Sequence, residues 1–160
     1  VTVSILSRDL LFHELDLQVR TTRQLLAKVD PTHFSFRPHE SMRTLHELAT
    51  HLVQIPAIDL AILQEKDEIS IRQLEVELTP KEKEDFLRIL EQGTLALKTY
   101  MESLDEHTFF YKKATTFYGY EVDSQAKWLL EVITHLAHHR AQLFNYLKHL
   151  EYDVQMYDLY

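Results

Sequence analysis

The stretch His135-Leu136-Ala137-His138-His139-Arg140-Ala141-Gln142 decides how this 160-residue chain is read. It lies in a run from Ser124 to Leu150 that holds neither glycine nor proline. Val132, Leu136 and Leu143 recur through that run at helical spacing. His135 and His139 are four apart, so a helix stacks them one turn above the other, where both can grip a single metal ion. At ~100° per residue, His139 lies about 40° from His135 toward the apolar stripe, and Gln142 about 20° on the other side. His138 falls about 60° from His135 on the side away from the stripe, where it hydrogen-bonds or faces solvent.

Three further segments carry a helical period. The first runs from Ser4 to Val29, with Leu6, Leu10, Leu17, Leu25 and Leu26 as its apolar positions and Pro31 beyond its end. The second runs from about Met42 to Gln64, with Ser41 as the expected N-cap. Pro56 lies inside this segment and is expected to kink it, because its ring removes the bond to the Leu52 carbonyl. The third opens on Thr79-Pro80-Lys81-Glu82, a cap, a first-turn proline and an acid three residues on, and continues to about Leu104. Between these, Glu68-Ile69-Ser70-Ile71 alternates within 66–78 and fits a brief strand-like connection. Residues 105–122 are aromatic-rich, contain Gly119, and read as a loop with a short extended piece. The aromatics Phe109, Phe110, Tyr111, Phe117, Tyr118 and Tyr120 are expected to cap the bundle end, or secondarily to wall a substrate pocket. The acidic, aromatic tail from Tyr152 packs back on the bundle or on a partner.

Four amphipathic helices of this length imply an all-α fold, a four-helix bundle spanning residues 1–160 as one domain. Two glycines and four prolines are too few for a turn-rich β protein. A net charge of -8 argues against a surface that neutralises phosphates, so no nucleic acid is expected. Zero cysteines exclude disulfides, thiolate zinc sites and a thiol nucleophile of the protein's own. No apolar run approaches the ~20 residues of a membrane span, and no signal-peptide pattern appears. A cytoplasmic protein is expected.

His51 sits in the middle of the second segment's stripe, among Leu48, Ile55, Ile58 and Ile62, whereas His46 lies on the opposite face. A lone inward histidine is ordinarily satisfied by a carbonyl or a carboxylate. Three on two helices, two of them at ligand spacing, point to a metal site between the second and fourth helices. Three imidazoles leave coordination positions open, as catalytic sites do, whereas closed structural sites use four protein ligands. Other templates fail: His-Glu-x-x-His is absent because Leu136 follows His135, and no glutamate stands three before any histidine, as di-iron bundles require. Glu47 and Glu131 lie four residues before His51 and His135. With Gln142 they are the candidates to orient the imidazoles, the alternative for the two acids being a solvated helix surface. His13, His33, His39, His107 and His149 have no partner spacing that suggests a site.

Two stretches carry a family resemblance: SMRTLHELATHLVQ at 41–54, and ITHLAHHRAQL at 133–143. Both resemble the DinB-like (YfiT-like) superfamily of bacterial stress- and damage-associated four-helix proteins. Ala141 stands where that family often has glycine. The resemblance implies that His51, His135 and His139 are the three ligands of one divalent metal per chain, zinc or nickel. It further implies a metal-dependent hydrolase, or a transferase that adds an external low-molecular-weight thiol such as bacillithiol to a small-molecule electrophile. Members are often homodimers, so a homodimer is expected. The competing expectation is a non-catalytic metal-binding stress protein that acts as a dimeric binding module.

Overall fold

The second, third and fourth long segments form helices whose starts are marked by side chains that take up free backbone N–H groups, and the first forms a helix as well. In order, the elements are α1 (Val3–Lys28), α2 (Leu45–Leu63), α3 (Glu68–Glu77), α4 (Lys83–Ser103), α5 (Glu106–Tyr111), β1 (Lys113–Thr115), β2 (Val122–Ser124) and α6 (Gln125–His149). Short 3-10 turns cover Pro31–His33 and Met156–Leu159. The computed structural model describes residues 3–119 and 122–160. Tyr120 and the side chain of Leu6 lie outside the described residues.

The helix starts differ from expectation in an instructive way. α2 is capped by Thr44, not Ser41: Thr44 Oγ1 accepts from Glu47 N and Glu47 Oε2 accepts from Thr44 N, a reciprocal box that closes two orphan donors. Ser41 instead hydrogen-bonds His39. α4 begins at Lys83, after Asp85 has accepted from the amides of Lys81 and Glu82, while Thr79 closes α3 by donating to Glu75 O. The stretch expected to be strand-like is helix α3. Asp67 caps it by accepting from Ser70 N, and its inward residues Ile71, Leu74 and Leu78 recur at a helical period, with Ile71 1% exposed. Residues 105–122 hold the short helix α5, capped by Asp105, and then β1, which pairs antiparallel with β2.

α1, α2, α4 and α6 make the four-helix bundle: α2 packs on α4 and α6, and α1 packs on the same two from the other side. The core includes the fully buried Leu15, Leu25, Leu52, Leu90, Leu97 and Leu136, each stabilising by ~1.5–3 kcal/mol. On α1 the inward side chains are Phe12, Leu15, Leu25 and Leu26, whereas Leu10, assigned to the stripe above, is 63% exposed. α2 continues as helix through Pro56. There α4 packs tightly against it, and a Cβ at Gly93 would lie 3.0 Å from Ala57 N. The tail turns back onto α1, where Lys28 pairs with Asp158 at 2.9 Å. Arg140 donates to Thr21 Oγ1 at 2.6 Å and to Leu159 O at 2.9 Å, which ties α6, α1 and the tail together. Among the described residues no helix is long and apolar enough to cross a membrane.

Candidate metal centre

α2 and α6 lie side by side, and their buried leucines set which faces meet. Leu48 and Leu52 on α2, with Leu136 and Leu143 on α6, are at most 1% exposed. That packing turns His51 toward His135 and His139. His51 Nε2 lies 3.2 Å from His135 Nε2 and 3.1 Å from His139 Nε2. Among the described residues, these three histidines are the group of His, Cys, Asp or Glu side chains that could hold a metal ion. Two nitrogens bound at ~2.0–2.1 Å to one tetrahedral ion are ~3.3–3.4 Å apart, so the observed separations suit shared coordination.

The outer nitrogens decide which atoms face inward. His135 Nδ1 lies 2.9 Å from Asp59 Oδ2, and His139 Nδ1 lies 2.7 Å from Gln142 Oε1. Both oxygens accept, so both imidazoles carry their proton on Nδ1 and turn an Nε2 lone pair inward. His51 can donate one Nε2–H to one of these lone pairs, which leaves the other without a proton. A cation resolves the excess of lone pairs, so the donor set fits a divalent metal. Two of the three, His51 and His139, are held neutral, as ligation requires. Burial pushes His51 down to about 3, helped by His139, Arg43 and His135. Burial likewise pushes His139 down to about 4; the Gln142 hydrogen bond opposes this, and His135, His138 and Arg43 reinforce it.

The trio opens onto a cleft of about 330 Å³. Ile58, Ile62, Ile71, Phe117 and Trp128 wall it, with Arg72, Glu75 and Glu131 among its polar residues. The β1–β2 pair is tied to α6 and to the α2–α3 connection: Trp128 Nε1 donates to Ala114 O, and Thr115 N donates to Glu65 Oε1 at 3.0 Å. Of the expected aromatic cap, Phe109 enters the core and Tyr111 is 70% exposed, while Phe117 and Tyr118 line the cleft.

Of the three residues expected to orient imidazoles, Gln142 touches one. Glu47 is engaged at the α2 N-terminus and touches none of the three, because capping holds its carboxylate at Thr44. Glu131 lines the cleft but pairs with Lys127 rather than with His135. The acid that does hold His135 is Asp59, which sequence reasoning missed. Its signal was available: Asp59 is the one formally charged residue between Leu48 and Leu63, two turns beyond His51. His138 is exposed and accepts from Gln142 Nε2. His46 packs edge-on against Phe34 and Phe86.

A helical bundle with three histidines converging from two adjacent helices defines the class. The chain belongs to the DinB family, whose family model matches residues 6–160. A solved structure of a candidate DinB-family member from Exiguobacterium sibiricum is 30% identical, with a TM-score of 0.82 over 96% of this chain and 97% of that one. A DinB-like protein from Bacillus cereus superposes with a TM-score of 0.72 at 15% identity, covering 91% and 93% of the two chains. One from Bacillus subtilis gives 0.66 at 19% identity, covering 93% and 96%. At those identities the two Bacillus structures speak for the fold alone. No curated protein matches the sequence.

Proposed function

We propose that this protein is a divalent-metal-dependent enzyme of bacterial stress or detoxification chemistry, a thiol S-transferase or a hydrolase of small molecules. One observation carries the reading: three imidazoles bring their Nε2 atoms together beside an apolar-walled cleft. His51, His135 and His139 would hold one zinc or nickel ion per chain. Such an ion supplies Lewis acidity, lowering the pKa of a water or thiol that it binds toward neutrality.

Asp59 and Gln142 hold the Nδ1 protons of His135 and His139, which keeps both rings oriented and raises their basicity. Ile58, Phe117 and Trp128 exclude water from one side of the cleft and offer an apolar surface to a small electrophile. In the transfer reaction a sulfur–carbon bond forms, the carbon–leaving-group bond breaks, and the leaving group departs with the electron pair. The thiol proton passes to solvent. With no cysteine in the chain, the thiol comes from outside, bacillithiol being one such molecule. In the hydrolytic version water takes the place of the thiol.

The test is a screen of zinc- and nickel-loaded protein against haloaromatics, epoxides and esters, with and without small thiols. Added thiol should accelerate loss of an electrophile, and His139→Ala should remove that acceleration. Equal conjugation by wild type and variant across the panel would overturn the transferase reading and leave hydrolysis.

The second reading is a non-catalytic, metal-binding dimeric module. Exposed Ile69 and Val76, seven apart on α3, support pairing of outer helix faces in a homodimer. The side chain of His135 is 34% exposed at the cleft, which favours the enzyme over a sealed structural site. A cytoplasmic setting, where small thiols abound, belongs to the same proposal.

A further inference from the structure

We propose that a second recess, on the Gln142 side of the histidine trio, binds the anionic part of an organic co-substrate through Arg43. The inference rests on the enzymatic reading above and deepens it, because a hydrolase using water needs no second organic subsite.

The order of residues along the two helices places the recess. On α6, Trp128, Glu131 and His135 line the apolar cleft, whereas Gln142, Asn145 and Tyr146 line the recess. On α2 and the segment before it, Ile58 and Asp59 face the cleft, and Arg43 and Leu48 face the recess. His51 lines the cleft with them, and His139 stands between His51 and Gln142. Two adjoining hollows of about 430 and 460 Å³ share Met42, Gln142 and Tyr146, a size ordinary for small-molecule sites. Gln142 links recess and trio directly, since its Oε1 accepts from His139 Nδ1.

The charge of the recess is opposite to that of the protein. The chain carries 25 acidic against 17 basic residues, yet no acidic side chain among the described residues lines either hollow, while Arg43 and Lys148 do. Glu47, the acid whose charge Arg43 meets, is committed to capping α2 and lies 3.8 Å from Arg37. Among the described residues Arg43 forms no salt bridge, and its hydrogen bond is through its carbonyl, which accepts from Tyr146 Oη. Its guanidinium is therefore an available fork for a carboxylate or phosphate. An apolar cleft on one side of the histidines and a cationic recess on the other suit two reactants of opposite character. The apolar electrophile enters the first, and an anionic molecule delivering the nucleophile is anchored in the second.

The probes are succinate, inorganic phosphate, mercaptosuccinate and uncharged 2-mercaptoethanol, titrated into the metal-loaded protein by calorimetry. Succinate or phosphate should bind saturably to wild type. Arg43→Gln should weaken that binding about tenfold or more, as expected for loss of a charge-assisted hydrogen bond. Arg43→Lys should restore part of it, and the remote Arg88→Gln should change nothing. Tighter binding of phosphate than succinate, lost with Arg43, would assign the recess to a phosphate-bearing co-substrate; the reverse order assigns it to a carboxylate. In conjugation assays Arg43→Gln should raise KM for mercaptosuccinate while leaving KM for 2-mercaptoethanol and zinc affinity unchanged. Binding of both anions that is absent, or indifferent to Arg43, overturns the subsite. Arg43-dependent anion binding without any thiol conjugation would instead sink the transferase reading and leave the subsite standing.

Discussion

His135 donates its Nδ1–H to Asp59 Oδ2 across 2.9 Å, so an acid on α2 orients a histidine that belongs to α6. A carboxylate behind an imidazole holds its tautomer and makes the inward nitrogen a stronger donor. Asp59→Asn keeps the volume and removes the charge. It should lower zinc affinity about 10- to 100-fold, read by competition with a chromogenic chelator. Wild-type affinity in this variant would show that Asp59 does not tune the site.

His51→Ala should abolish stoichiometric zinc while leaving a helical, cooperatively folding protein, because the leucine core does not include the trio. Elemental analysis and circular dichroism together check this. Should a chelator unfold the wild type outright, the metal is coupled to folding and a structural role replaces the catalytic one.

The metal-free protein should lose stability as pH falls below about 6.5. His51 and His139 have folded values of about 3 and about 4, against about 6.5 in an unfolded chain. The unfolded state therefore binds more protons in this window, and stability falls with pH. The contribution is whole above pH 6.5 and is lost progressively down to the folded values. Urea midpoints of chelator-treated protein between pH 7 and 5 should fall more steeply for wild type than for His139→Ala. Parallel slopes would contradict the buried, neutral assignment.

At Gly93 α4 packs tightly on α2, with Ala57 N 3.0 Å from where a Cβ would sit. Gly93→Val should destabilise by about 1–3 kcal/mol through overpacking, despite replacing a poor helix former. Thermal or urea unfolding measures it, and a neutral or stabilising result would mean that the two helices can separate without cost.

Sedimentation should give the mass of a homodimer at high micromolar concentration, reduced by Ile69→Lys with Val76→Lys on α3. A wild type that stays monomeric throughout rules out the dimer. A dimer unaffected by the double variant places the interface on another face.

Much of this architecture was legible from local signals. The 3.6-residue period marked all four long helices, and His135 and His139 lie four apart whatever surrounds them. The centre of the α2 stripe also picked out His51, because burying Leu48 and Ile55 constrains which way the residue between them points. Local patterns misled where two short-range codes overlap. Ile69 and Ile71 alternate like a strand, yet Asp67 caps a helix there, and Ile71, Leu74 and Leu78 bury one helical face against Ile58 and Ile62 on α2. Ser41 and Thr44 are both competent caps, and the choice fell to Thr44 because Glu47 can answer it.

Only the tertiary structure decided which polar groups meet. Glu47 and Glu131 stand at the same helical offset from their histidines, yet the first closes a helix start and the second pairs with Lys127. The histidine on α6 is instead held by Asp59, 76 residues earlier in the chain. Helical periodicity assigns a side chain to a face. It carries no information on which residue of another helix stands opposite, because that depends on the register and approach of two helices. Those are set by the packing of their leucines.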